Sequence, residues 1–131
     1  MKERAVAVIV HGERLLVIHR RKNGTEYFTL PGGGVEDGET VEQACLREVL
    51  EETGLEATLG RHLTTFENAG RTEHYHLVEA PIGDPMLGGP EARINSPENL
   101  YTLLWVSLDE LAGIDLKPPT AKELILQLPR S

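Results

Sequence analysis

The run Pro31-Gly32-Gly33-Gly34 constrains this chain more than any other segment. Three successive glycines open backbone conformations closed to other residues and let a ligand approach the main chain. The run therefore reads as an irregular loop. Just beyond it, Thr40 opens a helix whose two ends are both written in the sequence. Thr40 and Gln43 form a capping-box pattern, and Thr53-Gly54 stops the helix with a glycine suited to the left-handed position past the last turn. Before the glycines come two β-rich runs, Arg4–Val10 and Leu15–Arg20, joined by a His11-Gly12-Glu13-Arg14 turn. A basic connection, Arg21-Lys22-Asn23-Gly24, leads to a short strand over Tyr27–Leu30. After the helix, Leu55–Phe66 and Arg71–Ala80 read as strands around an Asn68-Ala69-Gly70 turn. A Gly- and Pro-rich stretch from Pro81 to Asn99 precedes a strand over Tyr101–Val106 and a helical turn at Leu108–Ala112. A second capping box, Thr120-Ala121-Lys122-Glu123, predicts a last helix running to about Leu128. Strands, helix, strands, helix predicts an α/β fold: a mixed sheet with a helix on each face.

The chain has 131 residues, one domain's length. At this size folding buries roughly two-thirds of the unfolded surface, so neither a disulfide nor a structural metal is required. Its 13 basic against 21 acidic side chains give a net charge of −8. A polyanion is repelled by nucleic-acid polymers and anionic membranes, so neither is expected as a partner. A phosphorylated ligand would need a local basic patch or bound cations. Cys45, the one cysteine, excludes an intrachain disulfide framework and a zinc cluster. That usage suits a reducing, cytoplasmic setting, with Cys45 itself a small buried apolar residue. The apolar run Ala5–Val10 is too short for a signal peptide, and no stretch approaches the ~18 apolar residues of a membrane helix. The expectation is a soluble monomer or homodimer.

Between Thr40 and Thr53 lie Glu42, Arg47, Glu48, Glu51 and Glu52. Helical spacing gathers Glu48, Glu51 and Glu52 into roughly a 100° sector. Leu46 and Leu50 fall opposite Glu48, which predicts that their side docks on the sheet. Like charges at this spacing destabilise a helix by a few tenths of a kcal/mol each, and these lie outside the first turn, where the helix dipole would favour them. Two explanations fit: a solvated face, or a face that holds a hard divalent cation such as Mg²⁺ or Mn²⁺ through oxygen ligands.

The wider context is Gly33, five residues, Glu39, seven residues, then Arg47-Glu48-Val49-Leu50-Glu51-Glu52-Thr53-Gly54-Leu55. This resembles the signature of the Nudix (MutT-like) hydrolases at every specified position, across residues 33–55. Phe28-Thr29-Leu30-Pro31-Gly32-Gly33 before it and Trp105-Val106-Ser107-Leu108-Asp109-Glu110-Leu111 near the end are similar to family patterns too. The resemblance implies one domain over residues 1–131, folded as an α/β/α sandwich with a central mixed sheet. It implies a metal-dependent hydrolase that cleaves a diphosphate bond in a nucleoside diphosphate linked to another moiety. By the same resemblance, Glu48, Glu51, Glu52 and the carbonyl of Gly32 hold Mg²⁺ or Mn²⁺, and Glu48 also serves as general base. Arg47 holds a catalytic carboxylate in place through a bidentate contact. Glu39 orders the loop-to-helix junction through Arg47, and Gly33 and Gly54 serve backbone geometry. The compact length suits a MutT-like nucleoside triphosphate pyrophosphohydrolase. The alternatives are a dinucleoside polyphosphate or nucleotide-sugar hydrolase, or a non-catalytic nucleotide-sensing module.

Outside the signature the candidates thin out. Arg20 and Arg21, with Lys22, end a strand that leads toward the glycines, where they could contact phosphates or form a solvated turn. His74 and His76 alternate onto one strand face and could meet the substrate. Tyr75 and Phe66 read as core. The Pro81–Asn99 stretch is too long for a bare connection. Within it, Glu98 ranks first and Glu91 second as a further catalytic carboxylate, against the alternative that both are solvated, while Asp84 sits in a Gly-Asp-Pro turn.

Overall fold

The N-terminal apolar run becomes the central strand. In this computed structural model, which describes residues 2–79 and 99–128, strand β1 (Lys2–His11) buries Ala5 through Ile9 without a break. Such a strand is covered on both faces. Val6 and Val8 point into one core, and Ala5, Ala7 and Ile9 into another.

Strand β2 (Arg14–Lys22) returns after a turn at Gly12, and β3 (Thr25–Thr29) follows a turn in which Asn23 and Gly24 have φ of 50° and 82°. Two left-handed residues make the tight Asn-Gly hairpin whose twist matches the flanking strands. The basic connection expected here is therefore part of a ladder that closes at Lys22↔Thr25. Strands β5 (Thr58–Asn68) and β6 (Arg71–Glu79) form a second hairpin, with Ala69 and Gly70 at φ of 53° and 78°. The sheet order is β3-β2-β1-β6-β5, with β7 (Asn99–Ser107) added to β2. β1 and β6 run parallel and the other pairs antiparallel, so the sheet is mixed.

The glycine run corrects the sequence reading. Gly32–Gly34 forms a short strand, β4, antiparallel to β1 with Val6↔Gly32 and Arg4↔Gly34. A Cβ on Gly32 would collide with the carbonyl oxygen of Ala5. Room for close approach is what the glycine supplies there.

Helix α1 (Val41–Thr53) covers one face of the sheet. Thr40 Oγ1 accepts from Gln43 N–H at 3.1 Å, Gln43 Oε1 accepts from Thr40 N–H at 2.9 Å, and Gly54 closes the helix at φ 73°. The docking face, however, is not the leucine side. Ala44, Cys45, Val49, Glu52 and Thr53 are buried, whereas Leu50 is 52% exposed. Ala44, Cys45 and Val49 pack with Ala5, Ala7, Ile9, Leu16 and Val78 of the sheet, and the two glutamates face the glycines of β4. On the opposite face, α2 (Pro119–Leu126) packs Ala121 and Ile125 with Leu111, Leu116 and Tyr75. It starts at Pro119, with Pro118 as an extended N-cap and no side-chain cap, so Thr120 lies inside the helix rather than opening it. Proline fits the first helical position because its missing N–H has no partner there anyway. The segment before α2 is tied to β3, Phe28 N–H donating to Asp115 O and Lys117 N–H to Phe28 O, both at 2.8 Å. The result is an α/β fold with a mixed central sheet and helices on both faces. No helix among the described residues is long and apolar enough to cross a membrane.

Candidate active site

Helix α1 lies against β4 through its acidic stripe. The carboxyl group of Glu48 occupies the space that a Cβ on Gly33 would need. Glu52, only 5% exposed, accepts from the N–H of Gly32 at 3.4 Å through Oε2. The glycine backbone thus receives two carboxylates that the helix periodicity places one turn apart.

Arg47 organises the rim. Its Nε and Nη2 donate to the two oxygens of Glu39 at 2.7 and 2.9 Å, a bidentate contact. Nη2 also donates to Gly34 O at 3.0 Å, and Nη1 to Glu48 Oε1 at 2.8 Å and Glu51 Oε2 at 3.2 Å. The fork is thus spent on Glu39, not on a carboxylate of the helix, and Glu48 receives one bond from Arg47. These bonds, then the backbone N–H of Glu36, hold Glu39 down to a pKa of about 2. Arg47 is raised above its usual range, first by Glu39 and then by Glu48, against a desolvation cost. Burial pushes the thiol of Cys45 up to about 11.

Of the expected oxygen donors, Glu48 and Glu52 meet β4, whereas Glu51 turns outward with its side chain 53% exposed. Among the described residues, no three His, Cys, Asp or Glu side chains gather closely enough to hold a metal. The carbonyl of Gly32 accepts from Arg4 Nη2 at 3.4 Å. Glu98, Glu91 and Asp84 lie outside the described residues.

Two cavities open beside this arrangement. One of about 790 Å³ is lined by Glu48, Glu39, Gly34 and Glu36 together with Arg4 and Arg71. The other, about 320 Å³, lies on the α2 side between Val6, Leu30, Tyr75 and Pro118, and again reaches Arg4 and Arg71. These two arginines flank Glu73, each with a nitrogen 3.8 Å from its Oε2.

The other candidates sit elsewhere, and none of Arg20, Arg21, His74 and His76 lines either cavity. The Arg20 guanidinium lies 3.8 Å from the centre of the Tyr101 ring, and Arg21 lies 3.8 Å from Glu26 on the surface. His74 bonds Glu3 at 3.0 Å, and His76 is buried 3.8 Å from Glu42, on the α1 face of the sheet. Burial, then repulsion from His62, lowers the pKa of His76. The alternation that puts His74 and His76 on that face puts Arg71, Glu73 and Tyr75 on the other. Parallel pairing of β6 with β1 then sets Arg4 beside Glu73. Charged residues at alternate positions, on the strand face that also carries Tyr75, are the available signal for Arg71 and Glu73; Arg4, 69 residues away from Glu73 in sequence, has none.

Known proteins agree with this architecture. The chain is 36% identical over 83 residues to an ADP-ribose pyrophosphatase of Methanocaldococcus jannaschii, covering 63% of this chain and 49% of that one. It is 34% identical over 110 residues to the nucleoside triphosphatase NudI of Escherichia coli, covering 76% of this chain and 75% of that one. The chain spans only about half the length of several curated relatives, with 49%, 59% and 54% of three of them covered. In fold it is similar to a solved structure of MutT, studied from Aliivibrio salmonicida and Vibrio cholerae, with a TM-score of 0.75 at 24% identity over 97% of this chain and 98% of that one. The NUDIX domain model matches residues 1–128, and the chain belongs to the Nudix hydrolase family.

Proposed function

We propose that this chain hydrolyses a diphosphate bond in a nucleoside diphosphate linked to another moiety, in the manner of a MutT-like nucleoside triphosphate pyrophosphohydrolase, with Mg²⁺ or Mn²⁺. The observation that carries this reading is the pair Glu48 and Glu52, pressed by α1 against the glycine backbone of β4, with Glu48 on the wall of a largely acidic cavity that Arg4 and Arg71 also line. Nudix hydrolases generally use divalent metal ions, and the donors here suit a hard one because all are oxygens. Magnesium is usually bound through one or two carboxylates plus waters and substrate phosphates, so two inward carboxylates and the Gly32 carbonyl are a sufficient protein share. Such an ion would neutralise the diphosphate and acidify a bound water.

The chain's own groups do the rest. Arg47 fixes Glu48 through Oε1, which leaves Oε2 to take the proton of the attacking water. Glu39 holds the Arg47 fork, which ties the loop over residues 36–39 to the helix. Arg4 and Arg71 supply the positive charge that a chain of net charge −8 needs to receive a polyphosphate. Positioning and charge stabilisation of this kind account for nearly all catalysis in phosphoryl transfer. The match to NudI across three quarters of both chains supports a nucleoside triphosphate. The match to an ADP-ribose pyrophosphatase favours a nucleotide-sugar substrate as the second reading. A screen of phosphate release over nucleoside triphosphates, dinucleoside polyphosphates and nucleotide sugars, with Mg²⁺ and Mn²⁺ and products identified by mass, tests both. Absence of hydrolysis across the panel overturns the proposal.

A further inference from the structure

Arg4 stands on the very carbonyl that the proposed metal site would use. Its Nη2 donates to Gly32 O at 3.4 Å, and its Nε lies 3.8 Å from Glu73 Oε2. One guanidinium thus sits between two acceptors, at the long limit of a hydrogen bond to the first and just beyond it to the second. Both acceptors are fixed. Gly32 is paired with Val6 in the ladder of β4 with β1. Glu73 is 3% exposed, and its Oε1 is braced by Tyr75 Oη–H at 2.8 Å and Asn68 Nδ2–H at 3.3 Å. The Arg4 side chain is 28% exposed, so the guanidinium is the part that can shift.

A divalent cation held by the Gly32 carbonyl would share that oxygen with Arg4. The oxygen has a second lone pair, so charge rather than valence makes the conflict: two positive groups on one oxygen repel strongly in a partly buried setting. Arg4 can relieve the repulsion without leaving the protein. A shift of Nε by about 1 Å toward Glu73 Oε2 gives a charge-assisted bond of ordinary length. Arg71 has not closed on that oxygen, its Nη2 also standing at 3.8 Å. Glu73 therefore stands ready to receive either arginine, and Lys117 lines the same cavity with them.

We propose that the Arg4–Glu73 pair sets how tightly the β4 site holds a divalent cation: Arg4 caps the Gly32 carbonyl, and Glu73 is the positioning residue that takes Arg4 away when that carbonyl is given to the ion. The inference rests on the metal reading above. It makes cation affinity depend on a carboxylate on the sheet face opposite α1, acting only through the arginine.

The test is Mn²⁺ binding to the nucleotide-free protein at fixed ionic strength, read as free Mn²⁺ by electron paramagnetic resonance, with each variant checked by thermal melt. Arg4→Met should tighten binding at least about threefold, and Glu73→Gln should weaken it at least about threefold. Combined with Arg4→Met, Glu73→Gln should change affinity less than about 1.5-fold, because the residue through which it acts is gone. Charge alone predicts that Glu73→Gln weakens binding equally in both backgrounds, and that result overturns the proposal. So does an Arg71→Met protein that gains as much affinity as Arg4→Met. Arg71 stands at the same distance from Glu73 but, among the described residues, makes no bond to the Gly32 carbonyl, and this comparison holds even where Glu73→Gln fails to fold. A wild-type protein that binds no Mn²⁺ overturns the metal reading together with this one; equal, additive effects in a protein that does bind Mn²⁺ remove only this one.

Discussion

Three adjacent glycines should respond to alanine in three different ways. A Cβ on Gly33 falls on the carboxyl group of Glu48, the far end of a flexible side chain, so Glu48 must swing away and give up its 2.8 Å bond from Arg47. Losing a hydrogen bond to a charged group costs about 1.5–3 kcal/mol, reduced here because Glu48 keeps some solvent contact. Replacing a glycine at a compatible backbone angle returns about 0.4–1 kcal/mol through the unfolded chain. The net destabilisation for Gly33→Ala is therefore about 1–2 kcal/mol, a few degrees in Tm for a domain of this size. Turnover should fall much further, at least about a hundredfold, since a misplacement of about 1 Å at a catalytic group is worth that much. Gly32→Ala meets the carbonyl oxygen of Ala5 in the paired backbone, which cannot swing aside, so β4 must part from β1 and the loss is chiefly of stability. Gly34→Ala meets nothing within 4 Å and should leave both properties near wild type. Thermal melts and kcat on the best substrate separate the three. Wild-type turnover in Gly33→Ala, or an inactive Gly34→Ala, would refute the placement of Glu48 against β4.

Glu52→Gln keeps shape but weakens the ligand's charge, so activity should drop by orders of magnitude with Tm unchanged or raised, the latter because a buried carboxylate near Glu48 is relieved; near wild-type turnover rules out the metal role. Activity should follow Mg²⁺ or Mn²⁺ and not Zn²⁺, given an all-oxygen donor set, and full turnover in excess chelator contradicts it. Glu39 is held at about 2 in the fold against an ordinary 4.5, so its contribution to stability is complete above pH 4.5 and is lost as pH falls from 4.5 toward 2. Denaturant melts across that window should show a shallower acid limb in Glu39→Gln; an unchanged limb would disprove the linkage. The lowered pKa of buried His76 has the same sign: its contribution is present above the ordinary value of 6.5 and declines as pH falls below it, which melts of His76→Gln between pH 7.5 and 5 should show as a flattened slope.

What could be read locally was read well where a single stretch of chain carries the physics. The capping box at Thr40 and the left-handed Gly54 bound α1 because both are bonds between residues near in sequence. The unbroken burial of Ala5–Ile9 follows from a run with no polar position to turn outward. The Asn23-Gly24 hairpin is equally local, although the flanking basic residues read as a connection rather than as strand ends. By contrast, nothing near Leu46 and Leu50 reveals that Ala44, Cys45 and Val49 will face the sheet instead, or that the glycines of β4 will leave room for Glu48. Three glycines in a row indicate backbone freedom, but only the partner strand shows that they form β4 and that Gly32 and Gly33 are needed for room rather than for unusual angles.

The sequence by itself determined the order of elements apart from β4, both ends of α1, the apolar first strand and the acidic stripe with its arginine, since propensity, capping and periodicity act over a few residues. Tertiary structure decided which carboxylates turn inward, why Arg47 spends its fork on Glu39, and how Arg4 comes to share Glu73 with Arg71. Those outcomes depend on the parallel register of β1 with β6 and on how closely α1 can approach β4. Both are set by the summed packing of segments far apart in the chain.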